Sequence, residues 1–283
     1  MARIIAALAL GSALAGCSAI KLAYNNLPEV AYWWLDGYVD FTGAQTPKVK
    51  DDLTAVLAWH RETELPKIIA VLQKAETLAP NDVTPAQTCE LVGDVRTRLL
   101  SAAERAEAPG AALAVTLSEA QLQTLERKYA KNDAEYVKDW VERTPAQQQE
   151  KRYDKFLEQN EDFYGRLDDD QRDLLKQLTA RSMFDAKRVD AERRKRQQEA
   201  LAILRKFNAE QISAADAQPV IHAYVQRIAE PRPGAWRDYQ QGMLDEGCRY
   251  VATLHNATRP EQRQKAVQRL RAYQADLRDL SRR

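Results

Sequence analysis

The pentapeptide His60-Arg61-Glu62-Thr63-Glu64 sets an imidazole and a carboxylate one helical turn apart, a spacing that holds a metal once one or two further ligands join. Such a centre would make the chain a metal-dependent hydrolase built on His60, Glu62 and Glu64. The same histidine falls on an apolar stripe beside Trp59, and the plainer expectation is a partly buried imidazole hydrogen-bonded to Glu64. His222 and His255 lie far apart on separate predicted helices, and nothing pairs either with a nucleophile. The sequence contains no Gly-x-Ser-x-Gly, no phosphate-binding glycine loop and no zinc-protease signature. Carboxylates at Asp51-Asp52 and Asp168-Asp169-Asp170 sit in predicted first turns, where they complement the helix dipole. No catalytic residue, metal or cofactor is assigned on these grounds.

A different chemistry is encoded at the start of the chain. Arg3 precedes an apolar run, Ile4 to Ala15, too short to span a bilayer, and the run closes on Leu14-Ala15-Gly16-Cys17. This resembles the bacterial lipobox, in which the cysteine is acylated and the leader is cut just before it. The resemblance implies a signal peptide over residues 1–16, a lipidated tether over 17–26, and acyl chains on Cys17 as the lipid anchor. Ser18 after the cysteine implies sorting to the periplasmic face of the outer membrane. Cys89 and Cys248 then remain, and two readings stand: one disulfide closing a very long loop, or two buried thiols on the stripes Cys89/Val92/Leu99 and Cys248/Leu244/Val251.

Charge narrows the partners. With 42 basic and 41 acidic residues the formal charge is +1, and loss of Arg3 brings it to zero, so no global field points to nucleic acid. The densest basic feature, Lys187, Arg188, Arg193, Arg194, Lys195 and Arg196, reads either as a contact for an anionic lipid or envelope protein or as a solvated helix. Asp185, Asp190, Glu192 and Glu199, interleaved with it, favour the second reading.

The elements that position these groups are helical throughout. Thr46-Pro47, Thr84-Pro85-Ala86-Gln87, Ser118-Glu119-Ala120-Gln121, Thr144-Pro145-Ala146-Gln147, Asp168-Asp169-Asp170-Gln171 and Thr258-Arg259-Pro260-Glu261-Gln262 each place a capping side chain before a proline or acidic first turn. Apolar residues between them recur at three and four, and no segment alternates with period two. The expectation is an all-α, irregular bundle of about 8–10 helices over 27–283, with no sheet and a subdivision near 165–170. It includes a kink at Pro66 and one long projecting helix from Asp169 to Lys206. A first helix opens at Leu27-Pro28-Glu29, runs to near Gly43 and carries Tyr32, Trp33, Trp34 and Tyr38. Its rings sit either at the level of lipid headgroups or in the core, and Glu29, Asp36 and Asp40 favour the core.

Leu22-Ala23-Tyr24-Asn25-Asn26-Leu27, the block Tyr32-Trp33-Trp34-Leu35-Asp36-Gly37-Tyr38-Val39-Asp40, Trp59-His60-Arg61 and Glu64-Leu65-Pro66 together resemble an uncharacterised family of Gram-negative, all-helical periplasmic lipoproteins. That resemblance implies architecture and location but carries over no activity. The capped starts are also loosely similar to the Leu-Thr-x-x-Gln phrase of small helical periplasmic chaperones. The expected role is a non-enzymatic interaction, scaffold or chaperone-like protein; the alternatives are the His60-centred hydrolase and a binder of lipid or small apolar ligands in a bundle cavity.

Overall fold

The structure, a computed structural model, describes residues 21–282; the expected leader and Cys17 lie outside them. Residues 21–25 are helical, and twelve α-helices follow, more than the eight to ten expected, with no strand among the described residues. In chain order they are α1 (Leu27–Val39), α2 (Thr46–Trp59), α3 (Leu65–Leu78), α4 (Pro85–Arg105), α5 (Glu107–Ala114) and α6 (Glu119–Tyr136). After them come α7 (Pro145–Tyr164), α8 (Asp169–Ala180), α9 (Ala186–Glu210), α10 (Ala214–Ala229), α11 (Ala235–Asn256) and α12 (Pro260–Ser281). Two π-helical turns, His60–Glu64 and Val137–Val141, interrupt the regular winding. The chain closes on itself: α12 packs on α3 and α11 on α4, while α1 lies against α2 and α6, and α10 against α5.

Side-chain capping fixes most of the helix starts. Thr84, Ser118, Thr144 and Asp168 each accept a hydrogen bond from the amide three residues on, and the glutamine there returns its oxygen to the cap residue's own N–H. Two starts differ from the expected ones. Thr46 already lies inside α2, and the cap pairing is made one turn earlier, between Thr42 and Gln45. At α12 the residue whose amide is capped is Arg259, bonded to Gln262 Oε1 at 2.8 Å, whereas Thr258 donates its hydroxyl to the carbonyl of His255.

Four of these glutamines do more than cap. Gln121 donates one amide hydrogen to Gln45 Oε1 (2.8 Å) and the other to the carbonyl of Asp40, and Gln45 donates in return to Gln121 and to the carbonyl of Thr116. Gln171 and Gln262 repeat the arrangement at 2.7 and 2.9 Å, with the carbonyls of Ala257 and Arg166 as the outer acceptors. In both clasps the outer carbonyl belongs to the residue two before the partner's capped residue, so two helix N-termini are locked face to face. The first clasp joins α2 to α6 beside a core of Tyr32, Val39, Phe41, Val49, Leu117 and Leu122. The second joins α8 to α12 beside Leu167, Leu175 and Leu254. A third cluster, Ala111, Ala114, Phe207 and Ala217, packs α5 against α9 and α10, with the Phe207 ring set among three alanines.

Two other expectations are corrected. The first helix stops at Val39, not near Gly43, because Asp40 turns left-handed (φ 58°) and Asp36 Oδ1 accepts the amide of Phe41 at 2.8 Å. The continuous helix from Asp169 to Lys206 is broken between Ala180 and Ala186. No proline or glycine lies in that break; tertiary partners take the backbone amides instead. Glu246 accepts the amide of Met183 (2.7 Å) and bonds the hydroxyl of Ser182, Tyr239 accepts the amide of Asp185 (2.9 Å), and Asp185 then caps α9. Over residues 193–205, α9 is bound into the bundle rather than projecting, through Arg193 and Gln197 to Asp133 and Arg205 to Glu126.

Gln171 is only 3% exposed. Gln171→Ala strips a bond from the amide of Asp168 and leaves the Gln262 amide half-paired, at a cost of roughly 2–4 kcal/mol of unfolding free energy. Gln147→Ala, at an exposed cap without a partner glutamine, costs about 1 kcal/mol. Urea unfolding followed by circular dichroism measures both, and equal losses would show that the cross-helix pairing contributes nothing.

Candidate functional site

The residues nominated as a metal centre lie in one irregular turn and take different partners. Pro66 has no N–H to give the carbonyl of Glu62, and the chain widens into a π-turn in which Leu65 N–H bonds the carbonyl of His60. The irregularity expected at Pro66 takes the form of a π-turn in the residues just before it. The expected His60–Glu64 hydrogen bond is not formed, and Glu64 acts on His60 through its charge alone. His60 Nδ1 meets the Tyr24 hydroxyl at 2.8 Å instead. Glu64, fully buried, accepts from Lys67 (2.8 Å), Arg98 (3.2 Å) and Ser101 (3.3 Å), while Glu62 faces solvent. Burial works against the charge of Glu64, yet Lys67, Arg98 and Ser101 outweigh it and hold the carboxyl below the usual range. Glu64 is therefore a brace tying the π-turn to α4. Among the described residues no group of three or more His, Cys, Asp or Glu side chains is placed to hold a metal.

The other histidines are also structural. His255 is buried, with Nδ1 3.0 Å from the Tyr164 hydroxyl and Nε2 2.9 Å from the carbonyl of Asn81. The carbonyl can only accept, so Nε2 carries the hydrogen and Nδ1 accepts from Tyr164. Desolvation lowers the pKa of His255 and pushes the Tyr164 phenol up to about 12, which keeps both neutral. A separation of 91 residues hides this pair from any sequence reading. His222 bonds the buried carboxylate of Glu107 across α5 and α10.

The basic run is largely spoken for. Arg193 reaches Asp133 (3.1 Å), Arg194 reaches Asp190 (2.8 Å), Arg196 reaches Glu192 (3.0 Å) and Lys195 lies 3.9 Å from Glu192. Arg188 donates to the carbonyl of Ala235 and lies 4.6 Å over the ring of Tyr239. Lys187 is exposed at the start of α9. The interleaved acids thus neutralise the run, and Asp133 on α6 recruits part of it as an internal tie.

Where the two readings of the cysteines stood level, the structure joins Cys89 to Cys248, with Cα atoms 5.3 Å apart, pinning α11 to α4. Cys248 forms part of the wall of an open groove of about 770 Å³ between α7, α8 and α11, with Val92 of α4 at its edge. Phe156, Phe163, Met243, Leu244 and Val251 give it an apolar surface. Arg152, Arg181, Glu246 and Arg249 also line it; the Arg152 guanidinium lies 4.5 Å from the Phe184 ring and 3.9 Å from Glu246, and burial lowers its pKa. Asn160 donates to Tyr250 Oη at 2.6 Å, fixing one side, and burial pushes that phenol up to about 12. Val92 and Leu99, expected to be core beside Cys89, are exposed, Leu99 by 67%, and so is Val95 between them. Spaced at three and four, these side chains carry the apolar surface out of the groove along α4 for roughly 10 Å.

Fold and site together define an all-α multi-helix protein with an open apolar groove braced by a disulfide. The chain belongs to the family of unknown function DUF6279, whose match covers residues 37–214. That match runs from within α1 to the first residue of α10, so α11 and α12, which complete the groove and the second glutamine clasp, fall outside it. No curated protein and no solved structure matches the chain.

Removing the cross-link, by Cys89→Ser/Cys248→Ser or by reductant, frees a loop with a sequence separation of 159. The chain-entropy treatment puts the loss at about 5 kcal/mol; unfolding midpoints that match with and without reductant would show that the bond contributes nothing. A second expectation concerns acid. Folded His255 binds a proton less readily than the unfolded chain, whose histidine titrates near 6.5. Stability therefore falls as pH drops from about 7 through the window below that value. His60, shifted the same way by burial, adds to the slope. His255→Gln makes the fall between pH 7 and pH 5 shallower in urea midpoints; an unchanged slope would remove His255 from the cause.

Proposed function

We propose that this chain is a lipid-anchored interaction protein at the periplasmic face of the outer membrane, non-enzymatic, that holds apolar segments of a polypeptide partner in a scaffold or chaperone-like role. The observation that carries this reading is the continuity of the α7–α8–α11 groove with the exposed stripe of α4. Scattered exposed apolar side chains are ordinary, but a groove that runs on into Val92, Val95 and Leu99 forms one patch of the kind that marks an interaction surface. It is also longer than a single small ligand would need, and it suits successive side chains of an extended or helical segment. Location is supported by Leu14-Ala15-Gly16-Cys17 and by the Cys89–Cys248 bond, since such bonds persist in oxidising compartments.

Photo-crosslinking in cells provides the test. A benzophenone side chain placed at Val92 or Val251 of the full protein is expected to yield adducts whose partner peptides are apolar, while the same probe at exposed Ala70 yields none of them. Val251→Asp should abolish the adducts from Val92 without altering the unfolding midpoint by more than about 0.5 kcal/mol, the range of ordinary surface changes. Adducts identical at all three positions would overturn the reading, and a phospholipid adduct in the groove would replace the peptide with a lipid.

A further inference from the structure

The first helix has two apolar faces, and only one of them is used by the fold. At 100° per residue, Tyr32, Leu35 and Val39 lie together on the side that enters the core. Leu27, Val30, Trp33 and Trp34 lie on the opposite side and face solvent, the two indoles at 66% and 61% exposure. The aromatic block therefore does not belong wholly to the core, as its acidic residues suggest; it divides by face. Of those acids Asp40 lies past the end of the helix, and the other two are occupied elsewhere: Glu29 pairs with Lys50 at 3.0 Å, and Asp36 accepts the amide of Phe41. Both fall beside the core face, off the outer stripe.

We infer that this outer face of α1 lies in the headgroup region of a phospholipid bilayer and sets the orientation of the whole body on it. Adjacent tryptophans backed by valine and leucine are the composition that partitions to the membrane–water interface. No helix among the described residues is long and apolar enough to cross a membrane, so the contact is one of lying on the surface. The inference rests on the proposed acylation of Cys17 for its proximity to lipid. Ten positions separate Cys17 from Leu27, and the four residues from Cys17 to Lys21 reach at most about 14 Å. The segment that follows is clipped to the body at three points. Lys21 pairs with Asp276 and Asp279 of α12, the Tyr24 hydroxyl meets His60 Nδ1, and Arg61 donates to Asn25 Oδ1 at 3.0 Å. Lipid contact at α1 is therefore passed to the bundle as a fixed orientation rather than through a loose tether.

The test uses the full protein, purified from membranes and reconstituted into vesicles of phosphatidylethanolamine and phosphatidylglycerol containing a phosphatidylcholine brominated near the headgroup. Brominated lipid is expected to quench the tryptophan emission of the wild type. Trp33→Phe/Trp34→Phe should lose that quenching while remaining vesicle-bound, because Trp59, Trp140 and Trp236 are not on this face. Its thermal unfolding should be unchanged, since both indoles lie outside the core. Equal quenching in the two proteins, or wild-type indoles still reached by aqueous iodide on vesicles, would overturn the membrane face. A doubled mass in detergent that Trp33→Ser/Trp34→Ser abolishes would overturn it too, by making the occupant a second copy. Mass spectrometry of the N-terminal peptide reads the anchor separately: an unmodified Cys17 overturns acylation, and quenching by vesicles added from outside then decides the face by itself.

Discussion

A glutamine side chain carries one carbonyl and two N–H groups, and burying it is costly unless all of them are paired. This chain buries Gln121, Gln171 and Gln262 and satisfies them by setting capping glutamines against one another in pairs, Gln45 with Gln121 and Gln171 with Gln262. Each oxygen serves its own helix N-terminus and the partner's amide at once, so starting a helix and docking it become a single event. The rest of the bundle depends on this constraint. Phe41, Leu117 and Leu122 gather around one clasp and Leu167, Leu175 and Leu254 around the other, which puts the directional bonds at the helix ends and the non-directional packing beside them.

The groove follows from that geometry. Clasping α8 to α12 fixes the end of α8 against α11, and the disulfide fixes α11 against α4. Beside these fastenings α7 and α11 meet through Asn160 and Tyr250, and the aromatic and aliphatic side chains around that contact line an open groove. Glu246 takes part in the same arrangement, since in ending α8 it draws the chain over the Arg152 end of the cleft. Rigidity at the fastenings and apolar exposure beside them are what a surface needs to bind a partner without ordering itself first.

Much of this was legible in the residues. The capping phrases locate the starts of α4, α6, α7 and α8, because the pattern of a short acceptor, a proline or acid and a glutamine is local chemistry. Helical periodicity gives the all-α class for the same reason. The π-turn at His60 was only half legible: Pro66 announces a missing donor, but not that the turn before it widens. The break between Ala180 and Ala186 could not be read at all, as its cause is Glu246 and Tyr239 arriving from more than fifty residues away. Similarly, the stripe Val92, Val95 and Leu99 has the period of a core face, and only the placement of α7 and α11 leaves it bare.

The sequence by itself determined the helical class and the starts of α1, α4, α6, α7 and α8, and it carries the expectation of a lipid at Cys17, because each of these depends on residues within a turn or two of one another. Tertiary structure decided which capping glutamines pair, that Cys89 and Cys248 meet, that His60 and Glu64 take different partners, and which face of α1 enters the core. All four are contacts between segments distant in the chain or choices between two equally apolar faces. Periodicity records that a face is apolar, but what covers it is settled only when the remaining helices have taken their places.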